Sequence, residues 1–362
     1  MSSIWIAFSI ALLASLILTA PVRQFALRIG MVDQPSTRKV HVTPVPLLGG
    51  VAIYAAFVLA VVLTIRDGAR AEVLAILAGA TLLAITGILD DTGKLHHQIK
   101  LFISMPLAAC ILLAFGIHAQ VFADFLSGRL GAILDIALTL FWVVGITAAF
   151  SILDHLDGLC AGVAAVAAAF FTIAAFLNGQ FLVGTLAAAA LGAALGFLRW
   201  NFAPARIFMG DGGAMLLGFL MATLGLKLRP VDAHSPAGWL LPVLILGVPV
   251  FDTTLIAISR SRRGLVPFTS PGKDHTAHRL SNIGFGHKGA VLFLYGMGGV
   301  FGALGLLVTY LPSPGAYALC GVLIAAGAVA VIALERSPFE RQEKPHRAAL
   351  ASLNPTSPHQ PL

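Results

Sequence analysis

The sequence predicts an all-α, polytopic membrane protein of about eleven transmembrane helices, and three observations carry that prediction. Apolar residues make up 58% of the chain and charged ones only 11%, with a mean hydropathy of +0.91. A soluble domain carries about 25% charged residues, so this chain cannot cover a water-facing surface. The apolar residues are gathered into runs of about 20, the helical length that crosses a hydrocarbon core of roughly 30 Å. The basic residues fall on alternate connecting loops, as they do in a chain threaded repeatedly through a bilayer.

In order, the spans run over about 3–20, 47–65, 72–89, 101–117, 131–150, 160–177, 181–198, 212–228, 238–257, 289–310 and 315–334. The first has no basic leader and no clear cleavage site, so it reads as a span and not a signal peptide. With the N-terminus outside, 18 of the 23 Lys and Arg residues fall on segments 21–46, 90–100, 151–159, 199–211 and 258–288 and on the tail. Arg66, Arg70, Arg129, Lys227 and Arg229 remain on the other side. The positive-inside rule then sets an outside N-terminus and makes the basic segments cytoplasmic. Residues 1–334 are expected as one integral membrane domain. Residues 335–362, with five prolines and no long apolar face, are expected as a disordered cytoplasmic tail. The net charge of +7 needs no nucleic acid to explain it. Cys110, Cys160 and Cys320 lie scattered, which excludes a disulfide scaffold and a zinc site.

The acidic residues share that asymmetry. Asp33, Asp90, Asp91, Asp154, Asp157, Asp211, Asp252 and Asp274 all fall in or beside the inner segments. Desolvation explains why carboxylates sit at span edges, but not why they choose one face. An active face, if present, is therefore the cytoplasmic one. Asp90-Asp91 closes the third span, where neighbouring helical residues point about 100° apart, so one can face a site while the other binds a partner. A solvated helix end is the plain alternative. Asp154 and Asp157, three apart, would share a helical face and repel unless a cation or a proton intervenes.

Arg206-Ile-Phe-Met-Gly-Asp211-Gly-Gly leads into the eighth span, with glycines that admit close approach and a helix start that favours anions. Asp211 suits that place beside phosphate only with a metal between them; a simple turn is the alternative. Lys273-Asp-His275-Thr-Ala-His278-Arg279 lies in the most basic inner loop, where Lys and Arg suit phosphate oxygens or anionic lipid. Arg38-Lys39-Val-His41 has the same character. Hard carboxylates without thiolates favour Mg²⁺ or Mn²⁺, typically completed by substrate phosphates. Such a site suits phosphoryl transfer from a soluble nucleotide to a molecule in the membrane. A secondary transporter would instead carry midplane charges and inverted repeats, which this sequence does not show.

These motifs, in their order, resemble the polyprenyl-phosphate N-acetylhexosamine-1-phosphate transferases. The matching pieces are Arg38-Lys39-Val-His41 with Pro44 to Gly50, Asp90-Asp91 with Lys100, Asp154-x-x-Asp157-Gly158, Phe208-Met-Gly-Asp211, Phe251-Asp-Thr253 and His275-x-x-His278-Arg279. The loop Asp274-His-Thr-Ala-His-Arg279 is closer to the undecaprenyl-phosphate GlcNAc-1-phosphate branch than to the phospho-MurNAc-pentapeptide branch, which writes consecutive histidines there. The resemblance implies a bacterial inner-membrane enzyme that moves a sugar 1-phosphate from a UDP-sugar to undecaprenyl phosphate, releasing UMP. It implies Asp211 as principal Mg²⁺ ligand with Asp154 as a second, and Asp90 and Asp91 at the lipid phosphate, one as a base. It further implies Asp154, Asp157 and Phe208 near the nucleotide, with Arg38, Lys39, His41, Lys100, His275, His278 and Arg279 as further substrate contacts. Membrane lipid surrounds such an enzyme, and a homodimer is compatible with it.

Two asparagines of the family's fourth motif are replaced here by Ala148 and Ser151, and a glutamine after Lys100 by Ser104. A serine is shorter than an asparagine and is expected to reach a metal or diphosphate only through a bridging water. With the acidic residues and the histidine pair intact, an active enzyme with altered sugar preference is expected. A non-catalytic homologue binding polyprenyl phosphate or nucleotide is the alternative.

Overall fold

The computed structural model describes residues 2–34, 44–65, 70–93, 95, 97–123, 125–126, 128–229, 238–266 and 272–337. Arg38, Lys39 and His41 lie outside the described residues, as does the tail from 338 onward. Each apolar run is helical. Helix α1 (Ser2–Arg28) continues through Pro21, well past its expected end at residue 20. Strands β1 (Val32–Asp33) and β2 (Val45–Pro46) pair antiparallel, Val32 opposite Pro46, and hold the end of α1 beside the start of α2 (Gly49–Thr64). Helix α3 (Arg70–Asp91) ends in the acidic pair. After the short α4 (His97–Ile99), Lys100–Ser104 winds as a π-helical turn into α5 (Met105–Ala114).

Helices α6 (Arg129–Leu153), α7 (Leu159–Leu177), α8 (Phe181–Asn201) and α9 (Gly210–Lys227) follow. The ninth apolar run is kinked into α10 (Leu240–Ile245) and α11 (Gly247–Arg262), where one span was expected. Pro249 has no N–H to give the Ile245 carbonyl, while the flanking bonds Leu246 to Pro242 and Val250 to Leu246 survive. Then come α12 (Thr276–Leu280), a second π-helical turn at Ser281–Phe285, α13 (Gly286–Val308) and α14 (Ser313–Arg336). Among the described residues, seven helical stretches are both long and apolar enough to cross a membrane; α2 and Lys100–Ala114 are apolar but shorter.

Helix α9 is the hub. Helices α2, α3, α6, α7 and α8 pack on it, and its residues from Gly212 to Gly225 are all buried. Small residues let the backbones close in. A Cβ on Gly50 would lie 2.3 Å from the Gly213 backbone, and one on Gly87 would lie 2.3 Å from that of Gly212. Helices α3 and α9 run antiparallel: Lys227 at the end of α9 pairs with Glu72 at the start of α3, while Asp91 and Asp211 meet at the other end. Asp135, near the start of α6, is 2% exposed and accepts the backbone N–H groups of Val121, Phe122 and Ala123 at 2.8–3.0 Å. Helix α14 is peripheral, with only Ala316 buried along it. It carries the chain past the expected domain boundary at 334, because Glu335 and Arg336 are still helical.

Candidate active site

The site forms where the ends of α3 and α6 meet the start of α9. Gly210 opens α9 at φ +69°, and a Cβ there would fall 2.2 Å from Asp91 Oδ2, so the close approach requires glycine. The Asp211 N–H donates to Asp91 Oδ1 at 3.0 Å. Lys100, carried in by the π turn, donates to Asp90 Oδ2 at 2.8 Å and also pairs with Asp211 Oδ2. Ser151 Oγ donates to Asp211 Oδ1 at 2.9 Å. The serine therefore reaches the central carboxylate directly. Asp91 Oδ2 is buried and has no hydrogen-bond partner among the described residues.

The loop before α9 is positioned by backbone. Phe208 N–H donates to Pro46 O, and the Gly49 and Gly50 N–H groups donate to Phe208 O and Met209 O, each at 2.9 Å. Two segments more than 150 residues apart, both singled out in the sequence, are thereby joined. Asp154 and Asp157 do not share a helical face as expected. Helix α6 ends at Leu153, and Asp154 follows as its cap at ψ 54°, which turns the two carboxylates apart. Asp157 Oδ2 accepts the Ala205 N–H at 2.8 Å, and the neighbouring Gly158 N–H donates to Asn201 Oδ1 at 3.0 Å, so this end of the motif holds the 201–207 segment. Asp154 has no hydrogen bond or ion pair among the described residues. Burial, followed by the charges of Asp211, Asp91 and Asp157, pushes its carboxyl well above the usual range.

Histidines flank the carboxylates. The ring of His155 lies 3.9 Å from that of His275 and 4.9 Å from that of His278. Burial and, next, the neighbouring His275 keep His155 neutral by lowering its pKa. His275 is oriented by Asp252, whose Oδ2 lies 3.1 Å from Nδ1 while its Oδ1 accepts the Thr276 N–H at 2.7 Å. Asp252 and His155 were not among the expected site residues. The Phe251-Asp-Thr253 piece was the available signal for the first; no spacing rule points to the second.

Arg279 is placed differently from the expectation of a phosphate contact. It is fully buried, donating to Asp274 O at 2.8 Å, Ser259 Oγ at 2.7 Å and Leu334 O at 2.7 Å, with Glu335 Oε1 2.7 Å away. Asp274 is itself gripped by Arg260, at 2.7 and 3.0 Å, and by Arg263. Burial raises the Asp274 carboxyl, but the hydrogen bonds and charge of Arg260, then Arg263, outweigh it and bring the pKa to about 2. These charges hold the loop.

Among the described residues, no three His, Cys, Asp or Glu side chains converge closely enough to hold an ion alone. Magnesium needs no such cage, since one or two carboxylates and substrate phosphates complete its shell. The donor set fits that chemistry: the Asp211 charge helps push the Asp154 carboxyl up, and one buried Asp91 oxygen lacks a hydrogen-bond partner among the described residues.

Comparisons with known proteins identify the relatives of this chain. Residues 73–229, from α3 through α9, match the model for glycosyl transferase family 4. A probable undecaprenyl-phosphate N-acetylglucosaminyl 1-phosphate transferase of Bacillus subtilis is 38% identical, over 83% of this chain and 84% of its own. The decaprenyl-phosphate N-acetylglucosaminephosphotransferase of Mycobacterium tuberculosis is 34% identical, over 88% and 86%. The undecaprenyl-phosphate alpha-N-acetylglucosaminyl 1-phosphate transferase of Escherichia coli is 29% identical, over 80% and 79%. With that coverage, and with the motif residues Asp90, Asp91, Lys100 and Asp211 gathered in one cluster, the chain belongs to the polyprenyl-phosphate N-acetylhexosamine-1-phosphate transferases, on their GlcNAc-1-phosphate branch.

Proposed function

We propose that this protein transfers N-acetylhexosamine 1-phosphate, GlcNAc 1-phosphate in the simplest case, from a UDP-sugar to undecaprenyl phosphate. The product would begin a lipid-linked cell-envelope glycan. A lipid phosphate oxygen forms the new bond to the β-phosphorus, the bond from that phosphorus to the bridging oxygen breaks, and UMP leaves. The observation that carries the reading is the convergence of Asp90, Asp91, Lys100, Ser151 and Asp211 at one end of the bundle.

Two polyanions must meet there, so their repulsion has to be offset. Mg²⁺ (or Mn²⁺), held by Asp211 and Asp154, would supply the Lewis acid that polarises the diphosphate. Lys100 provides a fixed positive charge beside it. Asp91 Oδ2, without a hydrogen-bond partner among the described residues, is the oxygen able to accept a proton from the lipid phosphate. Ser151 and Lys100 orient Asp211 through its two oxygens, replacing what an asparagine amide would do. His275, fixed by Asp252, and His278 line the other side, toward the donor's phosphates.

Eleven spans, an outside N-terminus and a cytoplasmic site in the bacterial inner membrane complete the proposal, supported by the charge distribution. A cysteine at Val266 should then be labelled in intact cells only by reagents that cross the membrane. Labelling by an impermeant reagent would reverse the topology. The function itself is tested by UMP release from membranes supplied with undecaprenyl phosphate and a panel of UDP-sugars. Release with a UDP-N-acetylhexosamine is expected. A silent wild type that becomes active on joint Ala148→Asn and Ser151→Asn substitution would instead identify a non-catalytic homologue.

A further inference from the structure

Helix α14 is the least buried of the described helices long enough to cross a membrane, yet its last turn is not free. Leu334 packs on the apolar cluster that contains Leu153 and Leu156 beside Asp154, together with Ala277 and Leu280 of the histidine segment. Its backbone carbonyl accepts from Arg279 Nη1 at 2.7 Å. The next residue, Glu335, lies 2.7 Å from Arg279 Nη2 and 3.8 Å from Arg262. Arg279 in turn donates through Nε to the Asp274 carbonyl, immediately before His275, and sits directly after His278. A fully buried guanidinium must keep each of its partners, because a charge left unpaired away from water is strongly disfavoured. The guanidinium therefore ties the end of α14 to the peptide that carries both histidines.

We infer that the last turn of α14, Leu334-Glu335, is a positioning element for the histidine segment, acting through Arg279. It touches no reacting group. It sets where His275 and His278 stand relative to Asp154 and Asp211. Asp252, Arg260 and Arg263 anchor the segment before and at His275; the α14 turn adds an anchor on the far side of His278, where the five-residue α12 runs into a π-helical turn and has little helix of its own to fix it. The inference rests on the proposed transferase reading only for its kinetic consequence; the brace itself can be tested without catalysis.

Full-length protein in detergent or nanodiscs is compared with Glu335→Ala and with Arg336→Ala, whose side chain is exposed. Backbone amide exchange is read over 274–280. Glu335→Ala should speed exchange there at least tenfold while α1, α2 and α8 stay protected as in wild type, and Arg336→Ala should change nothing. Unchanged exchange at 274–280, or uniform acceleration in every helix, overturns the inference whether or not the protein turns over. In the UMP-release assay, Glu335→Ala should raise the KM for the UDP-sugar at least fivefold with kcat within threefold of wild type. That effect should vanish in a His278→Ala background. An undiminished effect there would mean that Glu335 acts elsewhere. A chain ending at Ser337 should keep at least half its activity, and one ending at Ala333 should lose at least tenfold while still inserting; equal activities overturn the brace.

Discussion

The two ends of the α3–α6–α9 bundle carry similar residues to opposite effect. At one end Asp135 is saturated by three backbone N–H groups, and Glu72 is closed by Lys227. At the other, Asp90, Asp91 and Asp211 draw on Lys100, Ser151 and backbone N–H groups at the start of α9, and among the described residues Asp154 is unpaired and an Asp91 oxygen has no hydrogen-bond partner. A carboxylate whose oxygens are all satisfied has finished its work within the fold. A set that is under-satisfied while crowded stores repulsion that a cation or a positively charged side chain relieves. Charge content alone would not separate the two ends; satisfaction does.

The sharpest way to break that contrast is Asp211→Asn. It keeps the shape but removes the charge at the centre, and turnover should fall at least 100-fold, about 2.7 kcal/mol of transition-state stabilisation, with insertion intact. Near-normal turnover would move the reactive centre to Asp154 or Asp157. The counterpart is Asp135→Asn, which turns an amide N–H₂ toward one of three buried donors and should cost about 2 kcal/mol of stability. Its thermal inactivation midpoint should drop while kcat/KM at low temperature holds. A folded but inactive Asp135→Asn would erase the distinction between the ends.

Asp274 offers a titration of comparable size. Its carboxyl ionises at about 2 in the folded chain, below its unfolded range, so the arginine grip stabilises the protein above about pH 4 and is lost as pH falls from there through 2. The contribution at neutral pH is about 2 kcal/mol. The difference in melting midpoint between wild type and Asp274→Asn should be full at pH 5 and disappear near pH 2; a constant difference would show that charge is not its source. Smallest of all, Ser151→Asn should change activity within about tenfold, roughly 1.4 kcal/mol, because Lys100 already holds the other Asp211 oxygen. A larger gain would mean that the serine limits the natural enzyme.

The helices were legible in the sequence because membrane solvent imposes one rule on every run of apolar residues. The kink at Leu246 was less so: Pro249 marks it, but a proline in a first turn is ordinarily harmless. Of the site, Asp90, Asp91, Lys100 and Asp211 were readable as motifs and do converge. The separate fates of Asp154 and Asp157 were not, since a three-residue spacing says nothing about where α6 stops. Arg279 misled for a related reason. A basic residue beside histidines looks like a phosphate contact until the three-dimensional fold supplies the carbonyls and carboxylate that use it up. Asp252 was visible only as a motif, because its partner His275 lies in a distant loop.

The contact of Gly87 with Gly212 makes a backbone spacing act as a gauge for chemistry. One turn beyond Gly87 stand Asp90 and Asp91; directly before Gly212 stands Asp211. A methyl group at position 87 would meet main chain, which cannot rotate aside, so the two helices would have to separate along their whole inner end. The carboxylates would then drift apart together, without any of them being altered. Tolerance to substitution in this protein should therefore follow distance between helix axes more closely than distance from the reacting phosphates.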